Sequence, residues 1–113
     1  MRTINRGVVI VRPKQPFLEW VRNLPDPEAT VSLEDLGQDT TAYLIADSEA
    51  ENFDRWLRGN YGIMFEEQLW GWWTDEAHWP TKRDLWMFGE WFDVEVHSMV
   101  FDLANTDIIH EDL

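Results

Sequence analysis

The chain contains no cysteine. That excludes a disulfide framework, a thiolate zinc site, an iron–sulfur cluster and a cysteine nucleophile, and it fits a reducing compartment. Long apolar runs are missing as well. Val8 to Val11 is too short for the core of a secretory signal, and nothing approaches the roughly 20 apolar residues of a membrane span. The expectation is a cytoplasmic protein with no membrane attachment. Basic residues are scarce: nine Lys and Arg stand against 22 Asp and Glu, a net charge of −13 over 113 residues. Nucleic acid and anionic membrane both attract Lys and Arg, so neither is an expected partner. A glycine-rich phosphate turn is also lacking. RPKQP follows Val11, where a parallel nucleotide-binding sheet wants such a turn.

What is present argues for one folded domain over residues 1–113. The hydrophobic fraction is 44%, too high for a disordered acidic tail, and eight residues are tryptophan. Each indole can bury about 150–250 Å², an upper bound of about 4–6 kcal/mol in transfer free energy. The charge is uneven. Residues 1–23 hold five basic residues (Arg2, Arg6, Arg12, Lys14, Arg22) and one acid, Glu19, for a net of +4; the remaining four basic and 21 acidic residues net −17. Internal pairing of the basic segment with the rest is the plain reading. It still leaves an acidic surface for a basic partner, because +4 cannot neutralise −17.

Along the chain, GVVIV at 7–11 reads as a strand buried on both faces, ended by Pro13. Pro16 opens a helix over 15–24 with Phe17, Trp20, Val21 and Leu24 on one face, stopped by Pro25-Asp26-Pro27. Residues 28–39 read as a loop with a short strand or turn. Thr40 to Ala46 is a strand. Asp47 or Ser48 caps a helical pattern running through Phe53, Trp56, Leu57, Tyr61, Met64, Phe65, Leu69 and Trp72. Gly59 and Gly62 make this either one weakened helix or two that meet near Gly59-Asn60. Thr74 to Pro80 is a loop. Thr81 to Asp84 resembles a capping box with Thr81 as N-cap, opening a helix over 82–92. Val94 to Leu103 is a strand with Glu95 and His97 on one side and Val94 and Val96 on the other. The tail from Asn105 frays. This order predicts an α+β fold, a small sheet of three or four strands with helices packed on one face.

The run LWGWW, the later Trp-Pro, KRDLWMF and EWFDVEVHSMVFDL together resemble a family of small acidic bacterial proteins of uncharacterised function. The resemblance spans about Thr40 to Leu103. It implies a bacterial, cytoplasmic α+β domain and brings no activity, cofactor or catalytic residue.

The candidate site is LWGWWTDEAHWP, residues 69–80. Trp20, Trp56, Trp86 and Trp91 lie on or beside apolar helix faces and read as core. Trp70, Trp72, Trp73 and Trp79 are different. Neighbouring Trp72 and Trp73 point about 100° apart on a helix, so at least one should reach the surface or a cleft. Beside Asp75, Glu76 and His78, such rings form either a packed cluster under the loop or a groove that favours cations. Stacking single-stranded nucleic acid would require a basic groove instead.

His97, on the Glu95 face of its strand, reads as a partly buried structural residue. The functional version joins His97 and Glu95 with His78 or Asp102 around a metal or as a general base. There is no HExxH pair or dense ligand cluster, so no metal or cofactor is expected. A serine triad is not favoured, since Ser98 points away from His97 and Ser48 reads as a cap. Carboxylate pairs among 22 acids carry no information. Lys82 and Arg83, at an expected helix N-terminus, read as surface pairs of acids, with an anion spot as the alternative.

Three functions remain in view. The first is a non-enzymatic acidic interaction module that binds a basic protein surface through a Trp-lined, acid-rimmed face. The second is a small enzyme or cationic-ligand binder using His97, Glu95 and the Trp70–Trp79 cleft. The third is a DNA mimic, which requires acids at phosphate-like intervals along a ribbon.

Overall fold

The computed structural model describes residues 1–25, 31–38 and 40–113. A three-stranded antiparallel sheet in the order β3-β2-β4 is built from β2 (Arg6–Pro13), β3 (Thr41–Ala46) and β4 (Phe92–His97). Five helices accompany it: α1 (Gln15–Arg22), α2 (Leu33–Gly37), α3 (Asp47–Glu51), α4 (Phe53–Trp70) and α5 (Leu85–Trp91). A two-stranded ladder joins β1 (Arg2–Thr3) to β5 (Phe101–Asp102). The architecture is α+β, with the helices packed on one face of the sheet.

That one-sided covering corrects the expectation that residues 7–11 are buried on both faces. Gly7, Val9 and Val11 are buried, whereas Val8 and Ile10 are half-exposed. The register carries the alternation across the sheet. Val9 stands between Tyr43 and Val96, and Val11 between Thr41 and Val94, all toward the helices. Val8 stands between Leu44 and His97, and Ile10 between Ala42 and Glu95, on the open face. A strand shows a period of two when only one face is covered.

Three local expectations are overturned. The stretch expected to be loop contains α2, opened by a reciprocal capping box between Ser32 and Asp35. The expected loop over 28–30 and 39, and the stop at Asp26-Pro27, lie outside the described residues. Neither Asp47 nor Ser48 is the cap of α3, which follows Ala46, and the helical pattern breaks at Asn52 (φ −119°, ψ 49°). Of the two readings that Gly59 and Gly62 left open, the single weakened helix is the one found, since α4 runs unbroken through both. Each glycine costs about 1 kcal/mol of helix propensity, less than the burial of Met64, Phe65 and Leu69 on the same helix returns. Helix α5 starts after Asp84, whose carboxylate accepts from Met87 N at 2.8 Å, and not after Thr81. Lys82 and Arg83 therefore precede the cap instead of lying in the first turn.

The strand expected over 94–103 is also divided. His97 pairs with Val8, but Asp102 pairs with Arg2, one residue short of a continuous register. The extra residue lies on the N-terminal side, in the bend around Asn5, and acts as a bulge that separates the two ladders. Three of the five N-terminal basic residues pair with acids here: Arg2 with Asp102, Arg12 with Glu95 and Lys14 with Asp93.

The core centres on Phe17, Phe65, Phe88 and Phe92, all at most 2% exposed. Trp20, Trp56 and Trp91 pack against it. Trp86 does not; it is 75% exposed. It lies one position from Leu85, about 100° around a two-turn helix whose buried residue is Phe88.

At Gly7, α3 packs tightly against the sheet. A Cβ there would stand 2.5 Å from Ala50 Cβ and 3.0 Å from the His97 carbonyl. Gly7→Ala should lower unfolding free energy by about 1–3 kcal/mol in urea denaturation. Adding Ala50→Gly should recover part of that loss, despite its own helix penalty of about 1 kcal/mol. Phe65→Ala should cost about 3–5 kcal/mol; Trp86→Ala should stay within about 0.5 kcal/mol of the parent in the same assay.

Candidate functional site

Helix α4 ends at Trp70 and the chain leaves through Gly71. The loop that follows is pinned by two indole N–H groups. Trp79 Nε1 donates to the Trp73 carbonyl at 2.7 Å, and Trp20 Nε1 to the His78 carbonyl at 2.9 Å. Asp75 caps a 3-10 turn over Glu76–His78 by accepting from Ala77 N. The tryptophan group thereby divides. Trp79 is buried, with the Arg83 guanidinium 5.7 Å from its ring centroid. Trp73 is half-buried, lies edge-on to His78, and keeps a buried Nε1 without a hydrogen-bond partner. Trp70 and Trp72 face outward.

Two hollows flank Trp72. The shallower is a recess lined by Trp70, Gly71, Trp72, Trp73, Thr74 and Asp75. The other is a cleft of about 320 Å³ lined by Pro13, Asp35, Leu36, Thr40, Thr41, Glu67, Gln68, Gly71 and Trp72. Of the sequence candidates, Trp70, Trp72, Trp73 and Asp75 are brought together. Glu76 and His78 occupy the adjacent 3-10 turn and Trp79 is core. Glu95 and His97 line neither hollow; they lie on the open face of β4.

Asp35, Thr41, Glu67 and Gln68 were missed in the sequence. Gln68 follows Met64 and Phe65 on the buried stripe of α4 and is itself buried. A polar residue within such a stripe is the signal that could have found it. Its Nε2 donates to Thr41 Oγ1 at 2.9 Å and to the Tyr43 hydroxyl at 3.0 Å. The Tyr43 hydroxyl in turn donates to Glu67 Oε1 at 3.1 Å. Burial, with the nearby Glu67 charge, pushes the Tyr43 phenol up to about 12, against the opposing hydrogen bond from Gln68. Ser32 holds the Asp35 carboxyl below its usual range through its backbone N–H and its hydroxyl.

On the open sheet face, His97 Nε2 lies 2.6 Å from Glu95 Oε2, and Arg12 Nη1 donates to Glu95 Oε1 at 3.1 Å. These hydrogen bonds, His97 first and then Arg12, hold Glu95 below its usual range. The expectation of a partly buried structural histidine is wrong: the His97 side chain is 53% exposed, because β4's outward residues meet no helix. Arg83 pairs with Glu66 and donates to the Pro80 carbonyl, as the acid-pairing reading expects of it, whereas Lys82 makes no salt bridge among the described residues. Among the described residues, no group of three or more His, Asp or Glu side chains could hold a metal ion, and no helix is long and apolar enough to cross a membrane. No protein-family model matches the chain, and neither the curated proteins nor the solved structures include a significant match to it.

The Tyr43 network has a spectroscopic consequence. Between the ordinary value of 10 and about 12, the unfolded chain has lost the phenolic proton that the folded chain keeps. The stability from this group is complete below pH 10 and is lost as pH rises through about 12. Titration at 295 nm should show a late phenolate transition near pH 12 that Tyr43→Phe removes.

Proposed function

We propose that the protein is a non-enzymatic binding module that docks a basic protein surface on the Trp-lined, acid-rimmed face around Trp72. One observation carries this reading: half-exposed Trp72 stands between two hollows edged by Asp35 and Glu67 on one side and Asp75 on the other, with no Lys or Arg among the described lining residues. Aromatic faces and unpaired carboxylates attract cations and offer little to anions. The −13 net charge adds a long-range field that favours encounter with a basic partner and disfavours nucleic acid. A bacterial cytoplasmic setting, suggested by the sequence resemblance, belongs to the same proposal.

Fluorescence anisotropy with three labelled probes tests it: an arginine-rich peptide, a glutamate-rich peptide and a short DNA duplex. The basic peptide should bind, and binding should weaken about tenfold or more as salt shortens the Debye length from about 10 Å at 0.1 M to about 3 Å at 1 M. The other two probes should not bind. An unbound basic peptide at low salt would reject the proposal.

A further inference from the structure

The larger hollow beside Trp72 has acceptors on one wall and a ring on another. We infer that it receives a single guanidinium group, the end of an arginine side chain, and that this group anchors the basic partner; the inference rests on the function proposed above and narrows it to one cleft.

The hydrogen-bond directions come first. A carboxylate only accepts, so the Tyr43 hydroxyl donates its proton to Glu67. Its oxygen must then accept from Gln68, which sets the amide nitrogen on Tyr43 and Thr41. The carbonyl end, Oε1, is left as the free end of a side chain that is only 9% exposed and lines the cleft. No donor among the described residues is paired with it, and it is not sealed from solvent. An amide oxygen that is open to solvent and free of a protein partner can accept an incoming N–H.

The rim supplies charge. Ser32 favours the ionised form of Asp35, and among the described residues Glu67 accepts a side-chain hydrogen bond only from Tyr43. Neither carboxylate has a cationic partner among the described residues. The rest of the lining mixes the hydroxyl-bearing Thr40 and Thr41 and Gly71 with Pro13, Leu36 and the indole of Trp72. At about 320 Å³ the space is at the small end of ligand pockets, right for one side chain and not for a large cofactor.

Guanidinium matches this combination better than ammonium does. It is planar, offers five N–H donors and no acceptor, and is weakly hydrated. Its edge can donate to the carboxylates and to Gln68 Oε1 while its face lies on Trp72. An ammonium is a compact, strongly hydrated charge with no face to stack.

Nitrogen-15 NMR titration tests the assignment on the intact chain, with four probes: acetyl-Gly-Arg-Gly-amide, its lysine and citrulline counterparts, and butylguanidinium. The arginine peptide and butylguanidinium should both shift the Gln68 side-chain amide and the Trp72 indole N–H. The lysine peptide should bind more weakly. Citrulline keeps the shape without the charge and should leave both signals unmoved. Glu67→Gln preserves the acceptor for Tyr43, and Trp72→Ala removes an outward ring, so both variants should stay folded by circular dichroism while binding the arginine peptide about tenfold more weakly.

The outcomes separate. If the arginine peptide shifts Trp70, Thr74 and Asp75 but not Gln68, the cleft assignment is overturned and the acidic-face reading stands. If butylguanidinium shifts Gln68 and the peptide does not, the cleft takes a free small cation and the anchoring role is overturned. If neither moves Gln68 and the arginine-rich peptide is also unbound at low salt, both proposals fall.

Discussion

The fold depends on where the Phe92 ring sits. Phe92 caps the C-terminus of α5 and is also the first residue of β4, so one residue ends a helix and starts an edge strand. Its ring centroid lies 5.1 Å from Phe17, 5.1 Å from Phe88 and 5.5 Å from Phe65, the last edge-on at 87°. Helices α1, α4 and α5 therefore meet the sheet at a single aromatic junction. Offset and edge-to-face pairs of this kind add about 0.5–1.5 kcal/mol each beyond the area they bury. They also restrict direction, which area alone does not. Phe65 packs against Phe88, Trp91 and Phe92, which fixes α4 against the core. Its C-terminal end comes to the end of β2 at Pro13, where Trp72 lines one cleft with Pro13, Asp35 and Thr41.

The sequence disclosed those parts of the fold that local composition alone determines. β-Branched runs at 7–11 and 40–46 marked two strands, and the apolar stripe from Phe53 to Leu69 marked α4, since each pattern reports a covered face. Boundaries and breaks were less legible because tertiary packing decides them. Two glycines left one weakened helix or two helices open in α4, and the single helix holds because a glycine only weakens a helix that a core already holds. The break came at Asn52, a residue that tolerates non-helical backbone through its own hydrogen bonds; here its amide donates to the Ser48 carbonyl. Helix α2 was overlooked although Ser32-Leu-Glu-Asp35 carries the pattern of a capping box. Its five residues bury only Leu36, too little for a periodic signal.

The site was legible by half, for a related reason. A cluster of tryptophans is visible in one dimension, and the angular argument for Trp72 and Trp73 required one of them to reach the surface. Trp72 does so, at 39% exposure. Its neighbours in space were hidden, because Asp35, Thr41 and Glu67 come from three separate elements. Pairing Glu95 and His97 with the Trp loop failed on topology. Those two residues point to the open face of the sheet, and α4 lies against the other.

Gln68 shows how the two halves of the molecule are connected. Replacing it with leucine would extend the Met64, Phe65, Leu69 stripe without a break and spare the desolvation of an amide, about 1–3 kcal/mol by mutational scales. An apolar residue there would leave the Tyr43 hydroxyl and Thr41 without their donor. It would also turn the floor of the cleft from acceptor to oil. The amide links the sheet, the helix end and the cleft in one chain of hydrogen bonds, Glu67 to Tyr43 to Gln68 to Thr41. Buried polar chains of this kind are costly when half-satisfied and rigid when complete. A ligand that donates to Gln68 Oε1 completes this one. The same contact that would recognise an incoming cation would then tighten the join between α4 and β3, so that occupancy of the cleft and stability of that join rise together.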